Sequence, residues 1–87
     1  MITNASTPSK IAATVADTLL AIFSGQTVTN DEVGAEIENQ YAMARKRCTF
    51  GSFVQVIPAM ERAGMVSHWS GPDYTGELFY TFPVRAI

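Results

Sequence analysis

The fold is decided by residues 59–66, Ala-Met-Glu-Arg-Ala-Gly-Met-Val, where an amphipathic segment meets a glycine and then apolar residues. Gly64 is the residue type that most often closes a helix. Residues 65–69 and 77–82 are rich in aromatic and β-branched residues, and the segment between them, residues 70–76, contains two glycines and a proline. The sequence therefore predicts a helix that ends at Gly64 and leads directly into a β-hairpin.

A first helix is predicted near the start of the chain. Thr7 is suited to be its N-cap, with Pro8 as the first helical residue, and Gly25 marks its end. Large apolar residues recur inside it at three- and four-residue steps, which indicates one buried face: Ile11, Val15, Leu19, Ile22 and Phe23.

Two further helices are predicted between this segment and the hairpin. Residues 26–28 form a short strand, and Thr29 with Glu32 forms a capping box for the second helix. Its inner face is predicted to be Val33, Ile37 and Tyr41, and Gly34 to allow close approach of a neighbouring helix. Thr49 caps the third helix, which Pro58 is expected to kink. The predicted apolar stripe of this helix is Phe50, Phe53, Ile57 and Met60.

This order of helix, short strand, helix, helix, strand and strand resembles the winged helix-turn-helix superfamily. The resemblance rests on residues 59–66 and on residues 27–37, Thr-Val-Thr-Asn-Asp-Glu-Val-Gly-Ala-Glu-Ile, and it covers roughly residues 9–82. It implies an α+β fold of three helices with a C-terminal β-hairpin wing. We expect one such domain over residues 7–87, after a flexible polar arm of residues 1–6.

Composition and charge limit the classes of function. The chain has 87 residues, 47% hydrophobic and 16% charged, which favours a small packed globule. Its net charge of −2 means that any DNA binding must come from local positive charge. A single cysteine, Cys48, fits a cytoplasmic protein. The apolar residues 11–23 are too short to cross a bilayer, and Asp17 in their middle argues against a signal peptide.

Enzymatic and cofactor chemistry are not expected. His68 is predicted in the hairpin and Cys48 before the third helix, so they do not form a nucleophile and base pair. No spacing of His, Cys, Asp or Glu matches a metal site, and Gly71 and Gly76 lack the lysine and helix of a phosphate loop. We therefore predict no catalytic residues, no metal and no cofactor.

The resemblance implies binding to double-stranded DNA with the third helix in the major groove. Its outward positions would be Thr49, Ser52, Gln55 and Val56, with Ala59 farther along. Gln55 is suited to pair with adenine, and Ser52 to contact a base or a phosphate. Arg45, Lys46 and Arg47, just before this helix, would bind phosphates. The chain is thus expected to be a small cytoplasmic DNA-binding transcriptional regulator.

A homodimer is expected to be the working unit, because one short helix gives a small footprint on DNA. The first helix and the C-terminal tail are its predicted interface. Together they offer many apolar side chains for one small core, including Phe82, Val84 and Ile87 at the end of the chain.

Three features favour an alternative, a protein-binding adaptor or an inhibitor of the kind that phages and mobile elements encode. The hairpin, residues 67–82, has no lysine or arginine, and the second helix carries Asp31, Glu32, Glu36 and Glu38. These carboxylates would oppose the approach of phosphates unless they face away. The hairpin is also rich in aromatic residues that suit a protein interface: Trp69, Tyr74, Phe79 and Tyr80.

Overall fold

The computed structural model of the protein describes residues 9–85 and shows an α+β domain. The elements follow in the predicted order, with one short 3-10 turn inside the hairpin. They are α1 (Lys10–Ile22), β1 (Thr27–Thr29), α2 (Asn30–Met43), α3 (Phe50–Arg62), β2 (Val66–Trp69), the 3-10 turn (Pro72–Tyr74) and β3 (Leu78–Thr81).

The three strands form an antiparallel sheet in the order β1-β3-β2. Tyr80 in β3 is paired with Val28 on one side and with Ser67 on the other. Leu78, Tyr80 and Phe82 lie on the side of β3 that packs on the helices, since Tyr80 and Phe82 are buried and Leu78 is half-buried. β2 lies at the edge of the sheet, and all four of its residues are exposed.

The start of α1 differs from the prediction. Ser9 is the N-cap, and its hydroxyl accepts a hydrogen bond from the Ala12 N–H at 3.2 Å. The helix begins at Lys10. The arm of residues 1–6, the N-cap predicted at Thr7 and the helical position predicted for Pro8 lie outside the described residues, as does Ile87.

The buried face of α1 was only partly predicted. Val15 and Leu19 are buried as expected, together with Ala12 and Ala16, whose small side chains let the other helices approach. Ile22 is 43% exposed and does not belong to the core. Phe23, just after the helix, packs on Phe82 with ring centroids 5.2 Å apart.

The prediction for α2 is confirmed in detail. The Thr29 hydroxyl accepts the Glu32 N–H at 3.1 Å, and the Glu32 carboxylate accepts the Thr29 N–H at 2.9 Å. Val33, Ile37 and Tyr41 are all buried. A Cβ at Gly34, however, would lie an ordinary 3.9 Å from Phe53 of α3, so close helix packing does not require this glycine.

The apolar stripe predicted for α3 is right at Phe53, Ile57 and Met60 and wrong at Phe50, and it omits two buried residues. Ser52, Val56 and Met60 are buried, with Phe53 and Ile57 half-buried beside them, whereas Phe50 is 82% exposed. Four-residue steps from Ser52 therefore mark the core side. The helix continues through Pro58 to Arg62.

Candidate nucleic-acid interface

The loop from α2 to α3 projects three cations into solvent. The Lys46 N–H donates to the Tyr41 carbonyl at 2.9 Å, and the Arg45 N–H donates to the Ala42 carbonyl at 3.0 Å. This pair of hydrogen bonds is the Schellman motif, in which the residue after the C-cap adopts the left-handed conformation. That residue is Arg45, with φ of 57°. Arg45, Lys46 and Arg47 are all exposed.

A fourth cation joins this loop from the first turn of α1. Lys46 lines a shallow surface groove together with Ser9, Lys10, Ile11 and Thr14. We call Lys10, Arg45, Lys46 and Arg47 the basic cluster. It includes four of the six lysine and arginine residues of the chain. Lys10 could not be assigned to this cluster from sequence, because it lies far from the loop along the chain.

Two residues expected on the outward side of α3 are instead in the core. Ser52 is only 9% exposed, and its hydroxyl accepts the Thr49 N–H at 3.0 Å. Val56 is fully buried, and Ala59 is half-buried against the core. The prediction that these side chains face outward is therefore wrong, because the core stripe of α3 runs along their side of the helix. Thr49, the N-cap, is exposed.

Gln55 is exposed and lies on the flank of α3 that faces α1. Its amide oxygen accepts the Ser9 N–H at 2.7 Å. Ser9 in turn lies beside Lys10 and Lys46 in the groove described above. Gln55 thus ties the start of α1 to α3 next to the basic cluster, and its amide oxygen already has a partner.

The side of α3 that faces solvent is apolar in its first two turns. Phe50 is 82% exposed and Val54, one turn later, is 53% exposed. Gly51 lies between them and is also exposed. We call Phe50, Gly51 and Val54 the outer face of α3. Its only sequence signal is that Phe50 and Val54 lie four residues apart, out of step with Ser52 and Val56.

The opposite flank of α3 is acidic. Asp31 and Glu38 of α2 line a groove between the two helices together with Phe53 and Ile57. Burial is the main cause of the raised pKa of the Cys48 thiol, and the negative charge of Glu38 raises this pKa further. Glu38 is therefore close to the loop that contains Cys48. These carboxylates therefore do not face away from α3. The helix separates a basic flank from an acidic one.

The hairpin exposes part of its aromatic content. Tyr74 is 80% exposed and Trp69 is 40% exposed, and their rings meet edge to face with centroids 6.5 Å apart. Tyr80, by contrast, belongs to the core, and its hydroxyl donates to the Asn30 side-chain oxygen at 3.2 Å. Phe79 is half-buried and stacks on His68 at 5.8 Å.

Reactive groups are sparse in the part of the chain that the structure describes. Burial raises the pKa of the Cys48 thiol, so the less nucleophilic protonated form is favoured at neutral pH. Within residues 9–85, no three His, Cys, Asp or Glu side chains are grouped as a metal ion would need. None of the described helices combines the length and apolar character needed to cross a bilayer.

Comparison of the chain with protein-family models, with curated proteins and with solved structures found no match. The function must therefore be inferred from the placement of the residues described above. The most distinctive feature is the contrast between a basic cluster and the apolar outer face of α3, which follows Arg45–Arg47 along a chain of net negative charge.

Proposed function

We propose that the protein is a small cytoplasmic DNA-binding transcriptional regulator with a winged helix-turn-helix fold. In this proposal α2 and α3 form the helix-turn-helix, α3 enters the major groove, and β2 and β3 form the wing. The strand order β1-β3-β2 and the direct passage from α3 into β2 support the fold. The observation that carries the function is the basic cluster.

The basic cluster supplies the phosphate contacts that the net charge does not. Lysine and arginine side chains bind phosphates regardless of base sequence and orient the protein on the duplex. The cluster lies in the loop that immediately precedes α3 and beside the helix that Gln55 links to α3. Phosphate contacts here would bring the first turns of α3 to the groove edge.

The backbone of Arg45 supports a role for its side chain. A non-glycine residue at positive φ costs roughly 1–2 kcal/mol, and glycine would fill this position without that cost. Strained residues of this kind concentrate at functional sites. An arginine in the left-handed conformation at this position, where glycine would be less strained, is consistent with a need for its positive charge in phosphate binding.

The acidic flank of α3 sets a direction for docking. Phosphates would be attracted to the basic cluster and repelled by Asp31 and Glu38, which line the groove on the other flank. We therefore propose that the duplex meets α3 at its N-terminal end, tilted toward α1 and away from α2.

A homodimer remains part of this proposal, with α1 and the C-terminal tail as its interface. Val15, Leu19 and Phe82 are used by the core of one chain, which reduces the apolar surface left for a partner. Ile22 and Val84 remain exposed, at 43% and 83%. Light scattering at micromolar concentration tests the dimer, and a mass of one chain that does not change with concentration would overturn it.

Titration of fluorescently labelled duplex DNA at several salt concentrations tests the proposed function. Four phosphate contacts predict a log–log slope of about −3.6, because each contact contributes about −0.9. Binding that strengthens at low salt with a slope in this range supports the proposal. The absence of binding at low salt would exclude DNA as the ligand.

A protein-binding adaptor or inhibitor is the second candidate, and the hairpin is the observation that favours it. Tyr74 and Trp69 form an exposed aromatic pair beside an edge strand without charged side chains. Exposed aromatics of this kind anchor protein interfaces, and a free strand edge can pair with an extended segment. This function predicts that Trp69→Ser loses binding to the protein partner. It also predicts that neither the variant nor the wild type binds duplex DNA.

A further inference from the structure

The outer face of α3 offers no side-chain hydrogen-bonding group. Its members are Phe50, Gly51 and Val54, so this part of the surface of the first two turns is apolar, with the exposed Gln55 beside it. Gln55 lies on the α1 flank, and the Ser52 hydroxyl is buried at the N-cap. A duplex in contact with this face would therefore contact apolar side chains and no side-chain hydrogen-bond donor or acceptor.

Major-groove chemistry restricts what such a face can recognise. Guanine, adenine and cytosine present hydrogen-bonding atoms at their groove edges, and thymine adds a methyl group at C5. Covering a polar base edge with a phenylalanine or valine side chain removes water from it without replacing the lost hydrogen bonds. Contact with the thymine methyl group buries apolar surface on both partners.

We propose that Phe50 and Val54 read the 5-methyl groups of thymine, so that the protein prefers sites with thymine opposite the first two turns of α3. This inference rests on the proposed function, since it requires α3 in the major groove. Charge complementarity favours DNA as the ligand of the outer face of α3. Arg45–Arg47 of the basic cluster lie just before Phe50 in the chain, and the positive charge of the cluster suits a polyanion.

The spacing of the two side chains fits a short run of base pairs. Residues four apart on a helix lie on the same face, about 6 Å apart along the helix axis at 1.5 Å per residue. Successive base pairs are separated by about 3.4 Å along the duplex. Phe50 and Val54 are therefore spaced by about two base-pair steps, so the proposal assigns them methyl groups on different base pairs.

The test changes only the methyl group. An alternating A·T duplex is compared with the same duplex in which every thymine is replaced by uracil, which lacks the 5-methyl group. We expect the uracil duplex to bind about fourfold more weakly for each methyl group contacted. An alternating G·C duplex with 5-methylcytosine in place of cytosine restores a methyl group at the same ring position, and it should bind more tightly than the unmethylated duplex.

Variants assign the effect to the two side chains. Phe50→Ala and Val54→Ala should each bind thymine and uracil duplexes with more similar affinity than the wild type does. Val66→Ala is the matched control, because Val66 is 60% exposed on β2 and lies outside α3. It should keep the full preference for thymine. Thermal unfolding followed by circular dichroism checks that all three variants are folded.

The outcomes separate this inference from the function on which it rests. Salt-dependent binding to both duplexes without a thymine preference would overturn the inference and leave the proposed function intact. A thymine preference that survives in Phe50→Ala and Val54→Ala would also overturn it, since other groups would then read the methyl. Absence of binding to any duplex would overturn both. A preference that is lost in the two α3 variants and kept in Val66→Ala supports it.

Discussion

Arg45 and Gly64 occupy the same position at the ends of two helices. At the end of α2, the Arg45 N–H donates to Ala42 and the next N–H to Tyr41, and at the end of α3 the Gly64 N–H donates to Glu61 and the next N–H to Met60. Both residues have positive φ, 57° for Arg45 and 114° for Gly64. The chain therefore uses glycine at one of these Schellman motifs and a cation at the other.

Arg45→Gly should stabilise the fold and weaken DNA binding. Relief of the left-handed strain exceeds the extra entropy of glycine in the unfolded chain, so we expect the free energy of unfolding to rise by about 0.5–1 kcal/mol. Loss of one phosphate contact should lower affinity for every duplex. Urea unfolding and duplex titration measure the two effects. Gly64→Ala is the control and should destabilise, because a φ of 114° is unfavourable for alanine.

Replacing Arg45, Lys46 and Arg47 together with alanine should weaken binding to all sequences. The slope of log affinity against log salt should flatten by about 0.9 for each phosphate contact that is lost. Arg85→Ala is a control, because Arg85 pairs with Asp17 on α1 and is not part of the basic cluster. An unchanged slope in the triple variant would remove the loop from the interface.

Neutralising the acidic flank should strengthen DNA binding. A carboxylate about 8 Å from a phosphate costs about 0.5 kcal/mol in water, so Glu38→Gln should raise affinity roughly twofold at low salt. The gain should fade as salt screens the repulsion. Glu36→Gln serves as control, because Glu36 is on the same helix but outside the groove with α3. The Gln40 amide, which donates to the Glu36 carboxylate, can still donate to the new amide oxygen. Equal effects of the two changes would show that only net charge matters.

Gln55→Ala should act chiefly on stability. Removal of the acceptor for the Ser9 N–H should lower the free energy of unfolding by about 0.5–1.5 kcal/mol, and Gln55→Glu should retain most of it because a carboxylate also accepts this bond. DNA affinity of Gln55→Ala should fall by similar factors on A·T and G·C duplexes. A loss confined to one preferred sequence would instead support the bidentate pairing with adenine suggested by sequence.

The capping box of α2 makes stability depend on pH. Hydrogen bonds from the Thr29 N–H and hydroxyl lower the pKa of Glu32 from its ordinary value of 4.5. A carboxyl group whose pKa is lower in the folded state stabilises the fold above its unfolded pKa, and this stabilisation is lost as pH falls through the folded pKa. We expect wild type to be more stable than Glu32→Gln at pH 7, with the difference shrinking below about pH 4.5. Urea unfolding at a series of pH values measures it, and a constant difference would contradict the assignment.

The element order and the inner face of α2 could be predicted because they depend on local rules. Thr29 and Glu32 are spaced for mutual capping, and Val33, Ile37 and Tyr41 repeat every four residues. The same rules were only partly successful for α3, where they place Phe53, Ile57 and Met60 correctly but not Phe50. A pattern-based reading places a phenylalanine inside and a serine outside, whereas Phe50 is at the exposed start of the helix and Ser52 is buried because its hydroxyl accepts the Thr49 N–H.

The full basic cluster could not be predicted from the sequence. Its loop residues are consecutive, but Lys10 reaches Lys46 only through the packing of α1 beside the end of α2. The packing of α1 also brings the Ser9 N–H to the Gln55 amide oxygen, although the two residues are 46 positions apart in the sequence. Local periodicity carries no information about contacts of this kind.

The central position of β3 has a consequence for how the chain folds. β1 and β2 both pair with β3 and not with each other, so neither has a partner until residues 78–81 have been synthesised. Until then, Val28 lacks its neighbour Tyr80, and two strand edges are open to other chains. Loops of about 50 residues must close before β1 gains its hydrogen bonds, and such non-local pairing slows folding. We therefore expect the helices to collapse first during translation, with the sheet completed last and most exposed to misassembly while it is unfinished.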